Sequence, residues 1–89
     1  MRSRNTKEYH INTFGAVEQS DGSYLHNRDG QVYWYNADGR IHREDGPAIT
    51  YPNGEIDWFL NGDEYEFDEW CTSASISDES KMMLKLQYN

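Results

Sequence analysis

The sequence predicts a mainly β fold of the α+β class: an antiparallel β-meander of about seven short strands, with a C-terminal helical segment packed on one face. Six of the seven glycines directly follow Asp or Asn, about eight residues apart, and such pairs favour the tight turns of β-hairpins. The segments between these turns are rich in β-branched and aromatic residues. Beyond residue 67 the turn pairs stop, and acidic residues precede basic ones as a helix dipole prefers.

Three regions follow from this pattern. We expect residues 1–8 to form a flexible basic arm, residues 9–67 the β-meander with its hairpin repeats, and residues 68–89 the helical segment. An early strand is predicted over EYHINTF (residues 8–14). The later strands are predicted over SYLHNR, QVYWYN, RIHRE, PAITYP, EIDWFL and DEYEF.

An internal repeat supports the hairpins. "DGQVYWYNADGRIHRED" and "NGEIDWFLNGDEYEFDE" align with Trp34 over Trp58, and only Ala37 is extra in the first copy. A three-residue loop with Gly39 in the left-handed conformation absorbs that residue as a bulge and leaves Trp34 opposite His42.

The turns also predict a strand register. Two-residue turns at Asn61-Gly62 and Asn53-Gly54 and a further turn at Asp45-Gly46 predict these opposed pairs: Leu60–Asp63, Phe59–Glu64, Trp58–Tyr65, Asp57–Glu66, Tyr51–Ile56, Thr50–Asp57, Ile49–Trp58, Ala48–Phe59, His42–Ile49, Arg43–Ala48 and Tyr33–Arg43. Alternation then gives a core face of Leu25, Val32, Trp34, His42, Ile49, Tyr51, Ile56, Trp58, Tyr65 and Phe67. The opposite face carries Tyr24, Tyr33, Tyr35, Ile41, Arg43, Ala48, Thr50, Asp57, Phe59, Glu64 and Glu66.

The tail is predicted to cover the core face, because a single-layer sheet needs a second layer. Asp68 or Ser77 is a candidate helix cap. The predicted covering side chains are Trp70, Ile76, Met83 and Leu86; alternatively, the last residues, LKLQY, form a strand.

Composition excludes several classes of function. The net charge is −8, and between Arg43 and Lys81 eleven acidic residues occur without a basic one. This stretch is either a solvated surface or a face for a basic partner, and its repulsion of phosphates argues against direct nucleic-acid binding. No apolar run approaches the roughly 20 residues of a membrane span. With one cysteine and no apolar leader, we expect a protein of the reducing cytoplasm, with no membrane association.

We find no catalytic or metal-binding constellation in the sequence. His10, His26 and His42 fall on separate predicted strands, Cys71 has no neighbouring base, and no phosphate-binding loop is present. His42 with Glu44 and Asp45 is better explained as a packed or turn-bonded group. We therefore expect no cofactor, no metal and no enzymatic activity.

A partner-binding site is predicted on the face opposite the core. Its residues are Tyr24, Tyr33, Tyr35, Asp57, Phe59, Glu64 and Glu66. Asp57 directly opposite Glu66 costs stability, and a sequence that tolerates such a cost is often using it for binding. The alternative is that strongly twisted strands splay these charges into water.

The stretch "HREDGPAI", followed by "YPNG", "W" and "LNG", resembles the HRxDGPA-type repeats of small bacteriophage and bacterial proteins, which are similar to MORN-type β-hairpin repeats. The ending "FDEWC…SDESKMMLKLQY" resembles the C-terminal segment of such phage proteins. The resemblance covers roughly residues 29–89 and implies a β-meander of phage type, without catalytic residues.

On these grounds we expect a small acidic interaction protein, monomeric or a small homo-oligomer, that works in the bacterial host cytoplasm. It would bind and inhibit a basic host protein of defence or nucleic-acid handling, as anti-CRISPR or anti-restriction proteins do. One alternative is a structural or scaffold module of a phage assembly. Another is sequestration of a small nucleotide signal, which requires a pocket formed by Arg28, Arg40 and Arg43.

Overall fold

The structure is a computed structural model that describes residues 6–88. Six antiparallel strands form one sheet in chain order, and three helices accompany it, which confirms the predicted mainly β or α+β fold class. The elements are α1 (Thr6–Phe14), β1 (Val17–Glu18), β2 (Tyr24–Arg28), β3 (Gln31–Tyr35), β4 (Ile49–Thr50), β5 (Ile56–Leu60), β6 (Asp63–Tyr65), α2 (Phe67–Ser73) and α3 (Asp78–Tyr88). No helix of this part of the chain is both long and apolar enough to span a membrane.

Residues 8–14, which we predicted as a strand, lie in α1, so that prediction is wrong. His10 and Phe14 are four residues apart and therefore share one side of the helix. Each ring centroid lies 4.9 Å from that of His26 on β2. Burying these rings on the sheet outweighs the β preference of neighbours such as Tyr9, which remains exposed. Most of the predicted basic arm falls outside the described residues.

The hairpin turn signalled by Asp29-Gly30 and the two-residue turn predicted at Asn61-Gly62 are both present. Each residue of both pairs has positive φ, between 53° and 88°, as the tight hairpin turn requires. The pairs predicted across the second turn are confirmed: Trp58 with Tyr65, Phe59 with Glu64 and Leu60 with Asp63.

The bulged loop predicted within the first repeat copy is also confirmed. Gly39 has φ of 86°, and the Asn36 amide donates to the Arg40 carbonyl across 2.9 Å. The His42 amide donates to the Trp34 carbonyl across 3.0 Å, so these two residues lie opposite each other as predicted.

The predicted two-residue turn at Asn53-Gly54 is wrong. The loop has three residues, because the Tyr51 amide donates to the Glu55 carbonyl across 2.9 Å and only Gly54 has positive φ. Pro52 explains the difference, since its fixed negative φ suits the first position of a type I turn.

The longer loop moves the register of β4 by one residue. Ile49 lies opposite Asp57 rather than Trp58, and Thr50 lies opposite Ile56. A one-residue slip sends every side chain of a strand to the other face. Ile49 and Tyr51, predicted in the core face, therefore share the face of Asp57.

Asp45-Gly46 does not form a hairpin, and the pairs predicted across it are wrong. The Trp34 carbonyl accepts a hydrogen bond from the His42 amide, and the Trp34 amide donates one to the Ala48 carbonyl. The segments that contain His42 and Ala48 therefore both lie beside β3, at one position in the sheet, and residues 43–47 form a loop between them. Because RIHRE and PAITYP occupy this single position, they are not two separate strands. The sheet accordingly has six strands rather than about seven, with β1 as a strand that the sequence did not predict.

The helical tail covers one face of the sheet, as predicted. The core there contains Trp58 and Leu60 of β5 together with Trp70, Cys71 and Leu84 of the helices. The Trp70 ring lies 4.6 Å from that of Trp58 and is fully buried. This cluster fixes how the chain leaves β6.

The predictions for individual tail residues had mixed outcomes. Ser77 caps α3, since its Oγ accepts from the Ser80 amide across 3.1 Å, whereas Asp68 lies inside α2 and caps nothing. Ile76 packs against the core, but Met83 and Leu86 are exposed because Leu84 faces inward. The alternative that LKLQY ends as a strand is wrong, because α3 runs to Tyr88.

The two helical covers lie on opposite faces at opposite ends of the sheet. Tyr24 pairs with Tyr35, and both rings contact His10 of α1 on one face. Trp58 contacts Trp70 of α2 on the other face. Each helical cover thus contacts one end of its face, in a molecule extending 42 × 26 × 22 Å.

Candidate functional site

Four of the predicted binding residues share one face of the sheet. Tyr33 lies opposite Ile49, which lies opposite Asp57, and Phe59 lies opposite Glu64 on the next row. Opposed residues point to the same side. These side chains belong to the half of the face that α1 leaves uncovered. We call Tyr33, Tyr51, Asp57, Phe59 and Glu64 the open face.

Tyr24 and Tyr35, also predicted to bind a partner, contact α1 on this face. Tyr24 has no exposed surface, and its ring centroid lies 5.6 Å from that of His10. The Tyr35 ring lies 4.6 Å from His10, and its hydroxyl lies 3.3 Å from Nε2 of His26. Both tyrosines therefore anchor α1; Tyr24 presents no surface, whereas Tyr35 stays partly exposed.

The predicted acidic residues meet in a cleft at the open end of the β5–β6 hairpin. Asp57, Glu64 and Glu66 line a cleft of about 560 Å³ together with Glu69, and its apolar wall includes Trp58 and Phe67. The chain turns here from β6 into α2. We call these four carboxylate residues the acidic cleft.

Three elements hold the carboxylates in place. Asp57 follows the first residue of β5, Glu64 is the middle residue of β6, and Glu69 lies in the first turn of α2. Glu66 joins the last two elements as the N-cap of α2. The predicted pair of Asp57 with Glu66 is absent from the strand ladder, because β6 ends one residue earlier.

Glu66 is an unusual cap. Its backbone is extended, with φ −70° and ψ 157°, but its side chain makes no capping hydrogen bond. Ser, Thr, Asp and Asn are the residues that satisfy a helix N-terminus best. Glu66 therefore lacks the stabilisation that a capping side chain would give α2, and its carboxylate faces the cleft.

The cleft has no internal cation to neutralise it. No lysine, arginine or histidine lines it, and none of the ion pairs among residues 6–88 involves its four carboxylates. Nearby, Lys81 pairs with Asp68 at 3.2 Å. These unpaired negative charges would offset the free-energy cost of desolvating a basic group of a partner.

One neutral donor steadies the cleft. The Tyr51 hydroxyl donates to the Asp57 carboxylate across 2.6 Å. This bond, with burial and the negative charges of Asp57 and Glu64 nearby, raises the pKa of Tyr51 to about 12. Tyr51 thus stays a neutral donor across the physiological range and holds Asp57 at the boundary between the open face and the cleft.

The sequence pattern does not identify Tyr51 and Glu69 as members of the site. Tyr51 was assigned to the core because the Asn53-Gly54 turn was given two residues, and Pro52 was the signal that the loop is longer. Glu69 was grouped with the acidic stretch without a position, since nothing in one sequence shows how α2 leaves β6.

The histidine group of the first repeat copy has no free catalytic nitrogen. Nδ1 of His42 accepts from the Asn61 amide across 2.9 Å, so Nε2 of the neutral ring carries the proton and donates to Glu44 across 2.9 Å. Burial raises the pKa of the Cys71 thiol. No group of three or more His, Cys, Asp or Glu residues suited to a metal ion occurs within residues 6–88.

The arginines required for binding an anionic nucleotide are not brought together. The Arg28 guanidinium lies 5.0 Å from the ring centre of Phe14 on the α1 side of the sheet. That of Arg43 lies 4.1 Å from the ring centre of Trp34, which belongs to the other face. Because Arg28 and Arg43 lie on opposite faces, the pocket of Arg28, Arg40 and Arg43 that the nucleotide alternative requires does not form.

Comparison with family models, with curated proteins and with solved structures finds no match to this chain.

Proposed function

We propose that this protein is a small interaction module, without enzymatic activity, that binds a basic protein through the acidic cleft. The observation that carries the proposal is that four carboxylates from three elements line one cleft, with no cation from residues 6–88 lining it. A lysine or arginine of the partner supplies the missing charge, and Arg is favoured because its planar fork pairs with carboxylates in two-pronged geometry.

The open face supplies the apolar part of the interface. Phe59 and Tyr33 are half-buried; Phe59 lies opposite Glu64, and Tyr33 shares a row of the sheet with Asp57, with Ile49 between them. Aromatic residues account for most of the binding energy in protein interfaces, whereas charges at the rim mainly steer and select the partner. Phe59→Ala is therefore expected to weaken binding more than removal of one carboxylate.

In its finer form the proposal is that the partner is a host protein of defence or nucleic-acid handling, and that binding inhibits it. Such proteins carry basic grooves for phosphates, and a strongly acidic surface competes for these grooves. This part rests on the charge of the chain and on the phage-type resemblance of residues 29–89.

The test is capture of partners from bacterial lysate by the tagged protein and two charge-matched variants. Glu64→Gln/Glu66→Gln removes two charges from the cleft, and Asp38→Asn/Glu55→Gln removes two exposed charges elsewhere. We expect a basic protein to be retained by the wild type and the control and lost with the cleft variant. The activity of the captured protein is then assayed with and without the protein used as bait.

Two results would contradict the proposal. Equal loss of the partner in both variants would mean that net charge alone, rather than the cleft, attracts it. Recovery of the same proteins with all three baits would mean that binding uses another surface. If the captured protein keeps full activity, the inhibitory part fails while the binding part stands.

A further inference from the structure

Helix α3 has apolar side chains on two opposite sides. Leu84 is buried in the core beneath the helix, and Tyr88 packs against the same cluster. Met82, Met83 and Leu86 are 66%, 64% and 77% exposed. At about 100° per residue, Leu86 projects about 200° around the helix from Leu84, so this outer set cannot reach the core.

The outer side chains form one continuous stripe. Met82, Met83 and Leu86 are spaced by one, three and four residues, which places them together on two turns of the helix. Isolated apolar residues are ordinary on a surface, but a grouped set on one helix face marks an interaction site. No other element of the described chain covers these side chains, and the flexible thioethers of methionine suit adaptable packing.

Asp78 and Lys85 flank this stripe on the same side, and the exposed Glu79 precedes Met82 and Met83 on the side of the stripe itself. Asp78 lies at its beginning and Lys85 near its end, two turns or about 10.5 Å apart along the helix axis. Neither takes part in an ion pair among residues 6–88. The stripe therefore has a negative and a positive end along one flank.

We propose that α3 is a self-association surface through which two copies of this chain pack antiparallel around a two-fold axis. Setting Met82 against Met83 of the second copy brings Lys85 to within about 3 Å, along the axis, of Asp78 of the second copy. The same contact forms twice by symmetry. A parallel pair would instead place this flank beside the uncharged flank of Ser80 and Gln87.

A second copy fits this surface better than an unrelated helix because the charge pattern is complementary to itself. A two-fold interface uses the same patch on both partners, and a stripe with opposite charges at its two ends meets that condition. Two helical turns bury less than the roughly 1,200 Å² of a stable interface, so the dimer is weak and depends on concentration.

The test is sedimentation velocity of the full chain from about 10 μM to about 1 mM at physiological salt, the range in which a weak interface is populated. The wild type should rise from 10.5 kDa toward twice that mass. Met82→Gln/Met83→Gln should raise the dissociation constant at least about tenfold, whereas Val17→Gln, an exposed apolar residue on β1, should leave it unchanged.

Charge reversal tests the antiparallel arrangement. Lys85→Glu should weaken association several-fold, and Asp78→Lys in the same chain should restore it. All these positions are exposed, so circular dichroism should show unchanged folding. A single 10.5 kDa species at about 1 mM, or a dimer that ignores the methionine changes, would overturn the proposal. Failure of the swap to restore association would overturn the antiparallel pairing.

Discussion

The guanidinium carbon of Arg43 lies 4.1 Å from the centre of the Trp34 ring, and the same side chain closes the loop of residues 43–47. Its Nε donates to Asp45 across 2.8 Å and its Nη1 to the Pro47 carbonyl across 3.3 Å. Nε1 of Trp70 donates to the Arg43 carbonyl across 3.0 Å. These bonds show that the HREDGPAI motif has a structural role, because they hold its loop against Trp34 and Trp70.

Gly46 and Arg43 are expected to be energetically coupled. A Cβ at Gly46 would lie 2.8 Å from Cζ of Arg43, so Gly46→Ala must displace the guanidinium from its place over Trp34. We expect this change to lower the free energy of unfolding by about 1–2 kcal/mol, through the lost cation–π contact and hydrogen bonds. In an Arg43→Ala background the same change should cost less than about 0.5 kcal/mol. Urea denaturation of the four proteins checks this, and strictly additive costs would contradict it.

Glu66→Ser is expected to raise stability and to weaken partner binding. A serine at the N-cap of α2 accepts a hydrogen bond from the helix backbone that Glu66 does not accept. The gain should be about 0.5–1 kcal/mol in urea denaturation. The same change removes one of the four carboxylates of the acidic cleft. Glu55→Ser, in an exposed loop, is the control, and a variant that gains stability while keeping full affinity would remove Glu66 from the binding site.

The α1 end should lose stability in mild acid. Desolvation and the charge of Arg28 lower the pKa of His10, and desolvation, His10 and Arg28 lower that of His26. The unfolded chain therefore binds more protons than the folded one as pH falls below the ordinary value of 6.5, so stability falls there. Nδ1 of His10, Nδ1 of His26 and the Tyr24 hydroxyl are buried without a hydrogen-bond partner.

Amide hydrogen exchange at pH 7.5 and pH 5.5 checks this expectation. Protection of α1 and β2 should fall at the lower pH. Protection around Trp58 and Trp70 should change less, because the core cluster of Trp58, Leu60, Trp70, Cys71 and Leu84 contains no histidine. His10→Gln/His26→Gln should flatten the pH dependence of α1. Equal loss of protection at both ends of the sheet would show that the two ends do not open separately.

Tyr51 should titrate far above an ordinary tyrosine because its hydroxyl donates to Asp57. Its pKa is raised to about 12 from 10.0, so its bond contributes to stability below pH 10 and that contribution is lost as pH rises further. Asp57→Asn removes the charge and should bring the Tyr51 pKa back toward 10.0, with Asp63→Asn as the control. Ultraviolet difference titration against a Tyr51→Phe reference measures this. An unchanged Tyr51 pKa in Asp57→Asn would show that the Asp57 carboxylate is not what raises it.

The turns that sequence reasoning placed correctly are those with no competing residue. Asp29-Gly30 and Asn61-Gly62 form tight hairpins because both members of each pair can take positive φ. Pro52 before Asn53-Gly54 changed the loop, and with it the face of every β4 side chain. Local sequence signals therefore predict a turn well, but an error of one residue in the loop length puts every side chain of the following strand on the wrong face.

The acidic side of the site was predictable, and its aromatic side was only partly so. Asp57, Glu64 and Glu66 converge in one cleft even though the register proposed for two of them was wrong. Tyr24 and Tyr35 contact a helix that the sequence does not predict, because residues 8–14 form α1 rather than a strand. Such a cover depends on tertiary packing, which residue patterns in one sequence do not contain.

The placement of the helices at opposite ends of an elongated sheet has a practical consequence for attaching the protein to beads, surfaces or fluorophores. α1 packs on β2 and β3, whereas the acidic cleft and α3 lie at the β5–β6 end of a molecule 42 Å long. An attachment on the N-terminal side of α1 points both proposed contact surfaces toward solution. One placed after α3 presses them against the support, so a failed capture in that orientation would report on the geometry of the assay rather than on the protein.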